Sequence, residues 1–239
     1  MSVIPPLISS AAERSRGQDG DLSPVRLAGG RVFYACKRCF DFVLAFALVA
    51  VLMPLWLLIA VLIKIDSRGS VLFVNRAVGQ HGKEFRLYKF RSMHPAACLE
   101  IQRADLTKNI VEGLPTTYMN GQPVYKTALA ERARITRIGR LLRRTSLDEL
   151  PQLWNILRGD LSFVGPRPSL PDEVSQYRDW QKQRLLVPQG LTGLYQVRAR
   201  NRVSIEDMIR IDIEYIHTRS FWLDLKILFR TPRAMLSGL

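Results

Sequence analysis

Between Phe42 and Ile63 the chain carries no charged side chain, and FVLAFALVAVLMPLWLLIAVLI is apolar almost throughout. About 20 such residues are enough to span the hydrocarbon core of a bilayer as a helix. A helix apolar on every side has no face for water, so it must be buried in protein or in lipid. A run this long and uniform would be unusual inside one small domain, and membrane insertion is the expectation. Pro54 lies near its middle, where it removes one helical hydrogen bond and crowds the preceding turn. Basic residues flank both ends: Arg31, Lys37 and Arg38 before the run, Lys64 and Arg68 after it. Basic flanks stay on the cytoplasmic side. Two such flanks favour a helix that enters, breaks at Met53-Pro54 and returns to the same face. A proline-kinked spanning helix is the competing form.

Residues 1–30 mix Pro, Ser, Gly, Arg and acidic residues without periodicity and read as a flexible tail with no secretory signal. Residues 31–69 make the membrane-associated segment. Residues 70–239 are left for a cytosolic domain, long enough to bury its own core. It opens with two β-rich runs around Gly79-Gln80-His81-Gly82, the pattern of a hairpin. The second run places Phe85, Leu87 and Lys89 on one side. Lys89 stands where a hydrophobe is expected, so it either snorkels to water or meets a phosphate. Residues 94–131 are polar and irregular and read as an inserted region, a short helix and a surface loop. Residues 204–217 read as an amphipathic helix with Ile205, Met208, Ile209, Ile213 and Ile216 inward and Asp212 and Tyr215 on its other sides. Phe221–Arg230 is apolar, aromatic and basic, suited to a membrane interface. The fold class expected is α+β: a membrane helix, a mostly helical domain, a small hairpin and interfacial helices.

The chemistry gathers at Thr145-Ser146-Leu147-Asp148-Glu149-Leu150-Pro151. Asp148 and Glu149 follow an arginine-rich run and precede an apolar stripe, Leu150, Leu153, Trp154 and Leu157, at helical spacing. Carboxylates near a helix start are favoured in their ionised form. Beside positive charge they can hold a divalent metal or attack phosphorus. Ser146 and Glu149 also fit a capping box, a purely structural use of the same residues. Arg137, Arg140 and Arg144 form a stripe that faces either solvent and headgroups or the carboxylates. Arg167, between Pro166 and Pro168, is a guanidinium on a stiffened turn, suited to phosphate oxygens. The net charge is +14, which calls for an anionic partner: nucleic acid, lipid headgroups or a phosphorylated substrate. No helix-turn-helix, zinc-finger or RNA-binding signature is present, so nucleic acid is not expected. Cys36, Cys39 and Cys98 are too few and too scattered for a disulfide framework or a four-ligand zinc site.

Several motifs together resemble the bacterial sugar transferases of the small monotopic phosphoglycosyl transferase family. They are Lys37-Arg38-x-x-Asp41, Tyr88-Lys89-Phe90-Arg91-Ser92-Met93, Thr145 to Gln152, Gly165-Pro166-Arg167-Pro168 and Asp212-x-x-Tyr215, in the family's order. The resemblance implies a re-entrant membrane helix broken at its proline and anchored at the cytoplasmic face of the bacterial inner membrane. It implies transfer of a sugar-1-phosphate from a UDP-sugar to undecaprenyl phosphate with release of UMP, among membrane lipids. Mg²⁺ is implied as cofactor, held by Asp148 and Glu149. Asp148 would be the nucleophile that forms a covalent phosphosugar intermediate. Lys89, Arg91, Arg143, Arg167, Gln196, Arg200 and Asp212 would bind substrate. The chain departs from the family pattern at Pro188-Gln189-Gly190 and Arg198-Ala199-Arg200, where loop geometry is expected to differ. The rival reading is a membrane-anchored basic binding or scaffold protein without catalysis, which leaves the acids at 148 and 149 unexplained. Neither the sugar nor the oligomeric state is readable.

Overall fold

The computed structural model describes residues 30–94, 117–119, 122–124, 135–199 and 203–237. The expected tail, most of the inserted region and Arg200 therefore lie outside the described residues. The apolar run forms the body of helix α1 (Arg31–Asp66), 36 residues and so about 54 Å long. By length and composition it could cross a membrane. The helix continues through Pro54 without interruption. One absent amide removes one bond, and the apolar turns on either side carry the helix on.

One flank of α1 lies on the domain and the other is bare. Ala45, Ile59 and Ile63 are buried, while Val43, Phe46, Val51, Leu57, Leu58, Val61 and Ile65 are exposed. Strands β1 (Leu72–Val78) and β2 (Glu84–Phe90) form the expected antiparallel hairpin, with Leu72 opposite Phe90 and Val78 opposite Glu84. His81 and Gly82 take positive φ in its turn. Phe90 packs on the second half of α1, its ring edge-on to Trp56. The chain then leaves for residues 94–131 and returns at Ile135. Met93 bridges Ile135, and the Thr136 amide donates to Ser92 O, so the two ends of the excursion are tied together. The short helix expected there lies outside the described residues; the described part is a short hairpin, β3 (Thr117–Met119) with β4 (Gln122–Val124). The Asn120-Gly121 pair in the sequence is the turn signal for it.

Helix α2 (Arg137–Thr145) is capped by Thr136, and Asp66 at the end of α1 accepts from its Ile138 amide. A short 3₁₀ turn, Leu147–Glu149, leads to α3 (Gln152–Arg158). Its buried face is Gln152, Leu153, Asn155 and Ile156, and Trp154 points outward. The predicted stripe is therefore rotated by about one residue: Asn155 is inside because the hairpin needs its side chain. Strand β5 (Ser162–Val164) pairs in parallel with β6 (Gly190–Thr192) across the small helices α4 (Pro171–Val174) and α5 (Asp179–Lys182). A Cβ on Gly165 would collide with Pro188 O, so the two backbones meet only because glycine stands there. Three helices finish the chain: α6 (Leu194–Arg198), α7 (Ile205–Thr218) and α8 (Phe221–Ser237). On α7 the inward set is Met208, Ile209, Asp212, Tyr215 and Ile216. This corrects the placement of Asp212 and Tyr215 on other sides: both have buried partners. On α8, Trp222 and Phe229 are bare while Asp224 and Ile227 are buried, in keeping with an interfacial helix.

Helix α1 is joined to the domain by its Lys37-Arg38-x-x-Asp41 turn. Lys37 Nζ donates to Asp224 Oδ2 at 2.5 Å, and Tyr215 Oη donates to Asp224 Oδ1 at 2.7 Å. Arg38 donates to Ile156 O and Leu157 O at the C-terminal end of α3, where cations are favoured. Asp41 accepts from the Phe163 amide of β5. Asp224→Ala would leave Lys37 buried and unpaired, and is expected to lower stability by about 3–5 kcal/mol, read as a lower unfolding midpoint in detergent. Adding Lys37→Met should restore much of that loss. A double variant no more stable than the single would refute the pairing.

Candidate active site

The carboxylate dyad stands on the 3₁₀ turn between α2 and α3. Ser146 adopts left-handed φ 57° and makes no side-chain cap, while the Glu149 amide donates to Ser146 O. The capping box is therefore not formed. The Glu149 side chain goes instead to Lys89, with Nζ–Oε1 at 2.8 Å and both side chains about one-third exposed. Lys89 neither simply snorkels nor waits alone for phosphate. It is the cation of the dyad.

Three features hold it there. The register of β2 puts Lys89 on the same side as Leu87, facing inward. Asn155, wholly buried, accepts from the Tyr88 amide at 3.1 Å and donates to Arg86 O at 2.7 Å, so α3 grips the strand one residue before Lys89. At the far end of the hairpin the Val78 amide donates to Ser169 O. Arg143 is half-buried and reaches Met93 Sδ at 3.6 Å, whereas Arg137, Arg140 and Arg144 are exposed. The arginine stripe thus splits: one member turns inward on the dyad side of α2 and the rest face out. Arg91 is buried and donates to the Ser67 main chain and hydroxyl, tying β2 to the end of α1.

Arg167 and Asp212 belong to a second cluster, centred on a residue that the sequence reading passed over. Arg184 is fully buried. It donates to Arg167 O at 2.8 Å, Asp212 Oδ2 at 2.5 Å, Tyr177 Oη at 2.7 Å and Ser169 Oγ at 3.0 Å. Glu173 lies 3.7 Å from it and accepts from Tyr177 Oη. Asp212 thus pairs with the guanidinium that holds the Gly165-Pro166-Arg167-Pro168 main chain. The Arg167 side chain itself is exposed. A lone arginine in Gln183-Arg184-Leu185-Leu186-Val187 was the available signal, since a charge amid apolar neighbours needs a buried partner. Gln196 is half-buried close under Gly193. Arg198 pairs with Glu214 at 2.6 Å on the surface. In the altered loop Gln189 is buried and donates to Arg184 O and Val187 O, so its amide sets the loop's shape.

Two acidic groups face the Arg184 charge. Burial pushes the Asp212 carboxyl up from an ordinary 3.8 to about 6, with Arg184 pulling the other way. A carboxyl raised on folding contributes stability that is full below 3.8 and lost as pH rises through about 6. Over that interval the unfolding midpoint of the native chain is expected to fall relative to Asp212→Asn. Parallel pH profiles for the two proteins would refute this assignment.

A long, largely bare apolar helix compatible with membrane anchoring is thus clamped to a domain that carries a lysine-paired carboxylate dyad. The family model for bacterial sugar transferases matches residues 32–238. A galactosyl transferase, CpsE, from Streptococcus agalactiae is 40% identical over 171 residues, which is 71% of this chain and 35% of that protein. The undecaprenyl-phosphate galactose phosphotransferase of Salmonella typhimurium is 36% identical over 200 residues, 84% of this chain and 40% of its own. The exopolysaccharide production protein ExoY of Rhizobium meliloti is 37% identical over 212 residues, 88% of each chain. The chain spans about two-fifths of the first two and most of the third. It belongs to the bacterial sugar transferase family.

Proposed function

We propose that the chain transfers a sugar-1-phosphate from a UDP-sugar to undecaprenyl phosphate with release of UMP, in the first membrane step of polysaccharide or glycoconjugate assembly. The observation that carries this reading is the Lys89–Glu149 pair beside Asp148, held at the foot of an apolar anchor. Relatives whose names state galactose or glucose phosphotransfer to undecaprenyl phosphate support it.

In the first step an Asp148 oxygen attacks the phosphorus that bears the sugar. The bond from that phosphorus to the bridging oxygen breaks, and UMP leaves with the oxygen. In the second step a phosphate oxygen of the lipid attacks the same phosphorus and the aspartyl ester opens, giving a polyprenyl diphosphosugar and free carboxylate. Lys89 and the exposed Arg167 would offset charge on the diphosphate, which otherwise repels an attacking carboxylate. Magnesium commonly uses one or two carboxylates plus substrate phosphates. Asp148 and Glu149 fit that donor set, and the ion would supply further charge neutralisation.

We place the protein at the cytoplasmic face of the inner membrane, with α1 re-entrant as a helix bent at Pro54 rather than broken there as the sequence suggested, both its ends on that face. In support, the Lys37-Arg38-x-x-Asp41 turn at one end and Asp66 at the other bind the same domain. A straight crossing would separate those ends by a bilayer. Thiol labelling of Cys36 and of an Arg68→Cys variant lacking the native cysteines should succeed from the cytoplasmic side only. Labelling of position 68 from the opposite side would exclude the re-entrant form.

Asp148→Asn is expected to abolish UMP release and retain the fold. Mixing the native chain with UDP-sugar alone should leave a sugar-phosphate adduct on the Asp148 peptide, and UMP release by the variant would remove Asp148 as nucleophile. Lys89→Met should lower kcat by about 10²–10³, the usual effect of removing one preorganised charge-stabilising group.

A further inference from the structure

The hairpin carries an apolar stretch that neither the core nor the proposed chemistry uses. Leu72, Phe73 and Val74 are 39%, 45% and 46% exposed, on both faces of one strand. Among the described residues the outer edge of β1 is bridged only at its far end, Val78 to Ser169. Exposed, consecutive, flat apolar residues on a strand edge are a liability in water unless something covers them.

Their position says what does. Phe73 is the direct cross-strand partner of Lys89, so their Cβ atoms lie about 5 Å apart on one side of the hairpin. Lys89 in turn is bonded to Glu149 of the dyad. Leu72 stands opposite Phe90, which packs on Ile59 and Ile63 in the second half of α1. On the opposite side of those same turns Val61 and Ile65 are bare, and α1 ends at Asp66, only six residues before Leu72. The strand thus links the apolar flank of the anchor to the ammonium beside the dyad, apolar at one end and cationic at the other.

We propose that Leu72–Val74 is the track for the first isoprene units of the lipid acceptor, which delivers its phosphate to Lys89 and Asp148. This rests on the acceptor being a polyprenyl phosphate, as inferred above. An amphiphile with one anionic head and a long apolar tail matches the surface at both ends: charge complementarity at Lys89 and continuity with the lipid-facing side of α1. A nucleobase platform is the rival for Phe73, but the strand around it offers aliphatic neighbours rather than groups that read base edges.

The test is steady-state kinetics in detergent on Phe73→Ala and on the pair Leu72→Ser, Val74→Ser, positions exposed enough to leave folding intact. KM for undecaprenyl phosphate should rise about fivefold or more, as expected for losing part of one apolar contact. KM for the UDP-sugar should stay unchanged. Farnesyl phosphate carries the same first isoprene units, so its KM should rise by a similar factor in the same variants. A rise confined to the UDP-sugar KM would assign Phe73 to the nucleotide and overturn the proposal, as would unchanged kinetics for both substrates. A second readout needs no turnover: a polyprenyl phosphate with a diazirine in its first isoprene units, photolysed with the native chain, should label the peptide holding residues 72–74. Labelling elsewhere only would overturn the track. Labelling of that peptide in a chain with no transfer to any acceptor would retain the track and refute the transfer reaction instead.

Discussion

A buried ion pair between the long apolar helix α1 and the last helix decides how everything else is arranged. Lys37 and Asp224 are nearly removed from water, and each ion carries a desolvation penalty of several kcal/mol that only a close, fully hydrogen-bonded partner offsets. Tyr215 supplies the second bond to Asp224. Arg38, one residue on, satisfies the final carbonyls of α3, where Gly159 takes φ 87° to close the helix. Asp41 reaches the Phe163 amide of β5 a turn later. Three charges on one turn of α1 therefore fix three separate elements. Hydrophobic packing alone would let an all-apolar helix rotate or slide, because every face is equivalent. The polar turn is what gives α1 one register against the domain.

The register matters because the site is assembled from pieces distant in sequence. α3 lies between α1 and the hairpin, gripped by Arg38 at its end and gripping β2 through Asn155 in its middle. A displacement of α1 would move α3, and α3 carries both the strand bearing Lys89 and the turn bearing the dyad. Asp66 repeats the arrangement at the other end by accepting from the first turn of α2. The dyad turn thus hangs between two helices whose ends are both tied to the anchor. That explains how a three-residue 3₁₀ turn, weak by itself, can hold two adjacent carboxylates in place.

Legibility followed the kind of signal. The long apolar helix, the hairpin and the side on which Lys89 lies were readable because hydrophobic period and strand alternation act locally. The inward sides of α3 and α7 were misread for one reason: Asn155, Asp212 and Tyr215 are polar, and their partners Arg86, Arg184 and Asp224 are between 9 and 69 residues away. Burial of a polar group is decided by a bond it makes across the fold, which periodicity does not encode. The capping box failed in the opposite way. Ser146 and Glu149 have the right spacing, but the left-handed turn at Ser146 and the pull of Lys89 take Glu149 elsewhere. Arg91, which the resemblance implies as a substrate ligand, gives one guanidinium nitrogen to the Ser67 main chain and hydroxyl.

The buried Arg184 cluster shows how a residue can serve a site without reaching it. Its guanidinium binds the main-chain oxygen of Arg167, not the side chain, and leaves that side chain on the surface. Flanking prolines remove further backbone freedom from the same turn. Ordering a loop at the moment of binding would subtract from affinity, and doing so in advance moves that loss into folding. Gln189 extends the logic to the altered loop: by bonding Arg184 O and Val187 O it braces the arginine from the other side. Gln189 thus shapes this loop through two side-chain hydrogen bonds. The Arg184 environment, with Asp212, Tyr177, Ser169 and the Arg167 main-chain oxygen on its two terminal nitrogens, is a fixed footing for the turn that carries the exposed Arg167.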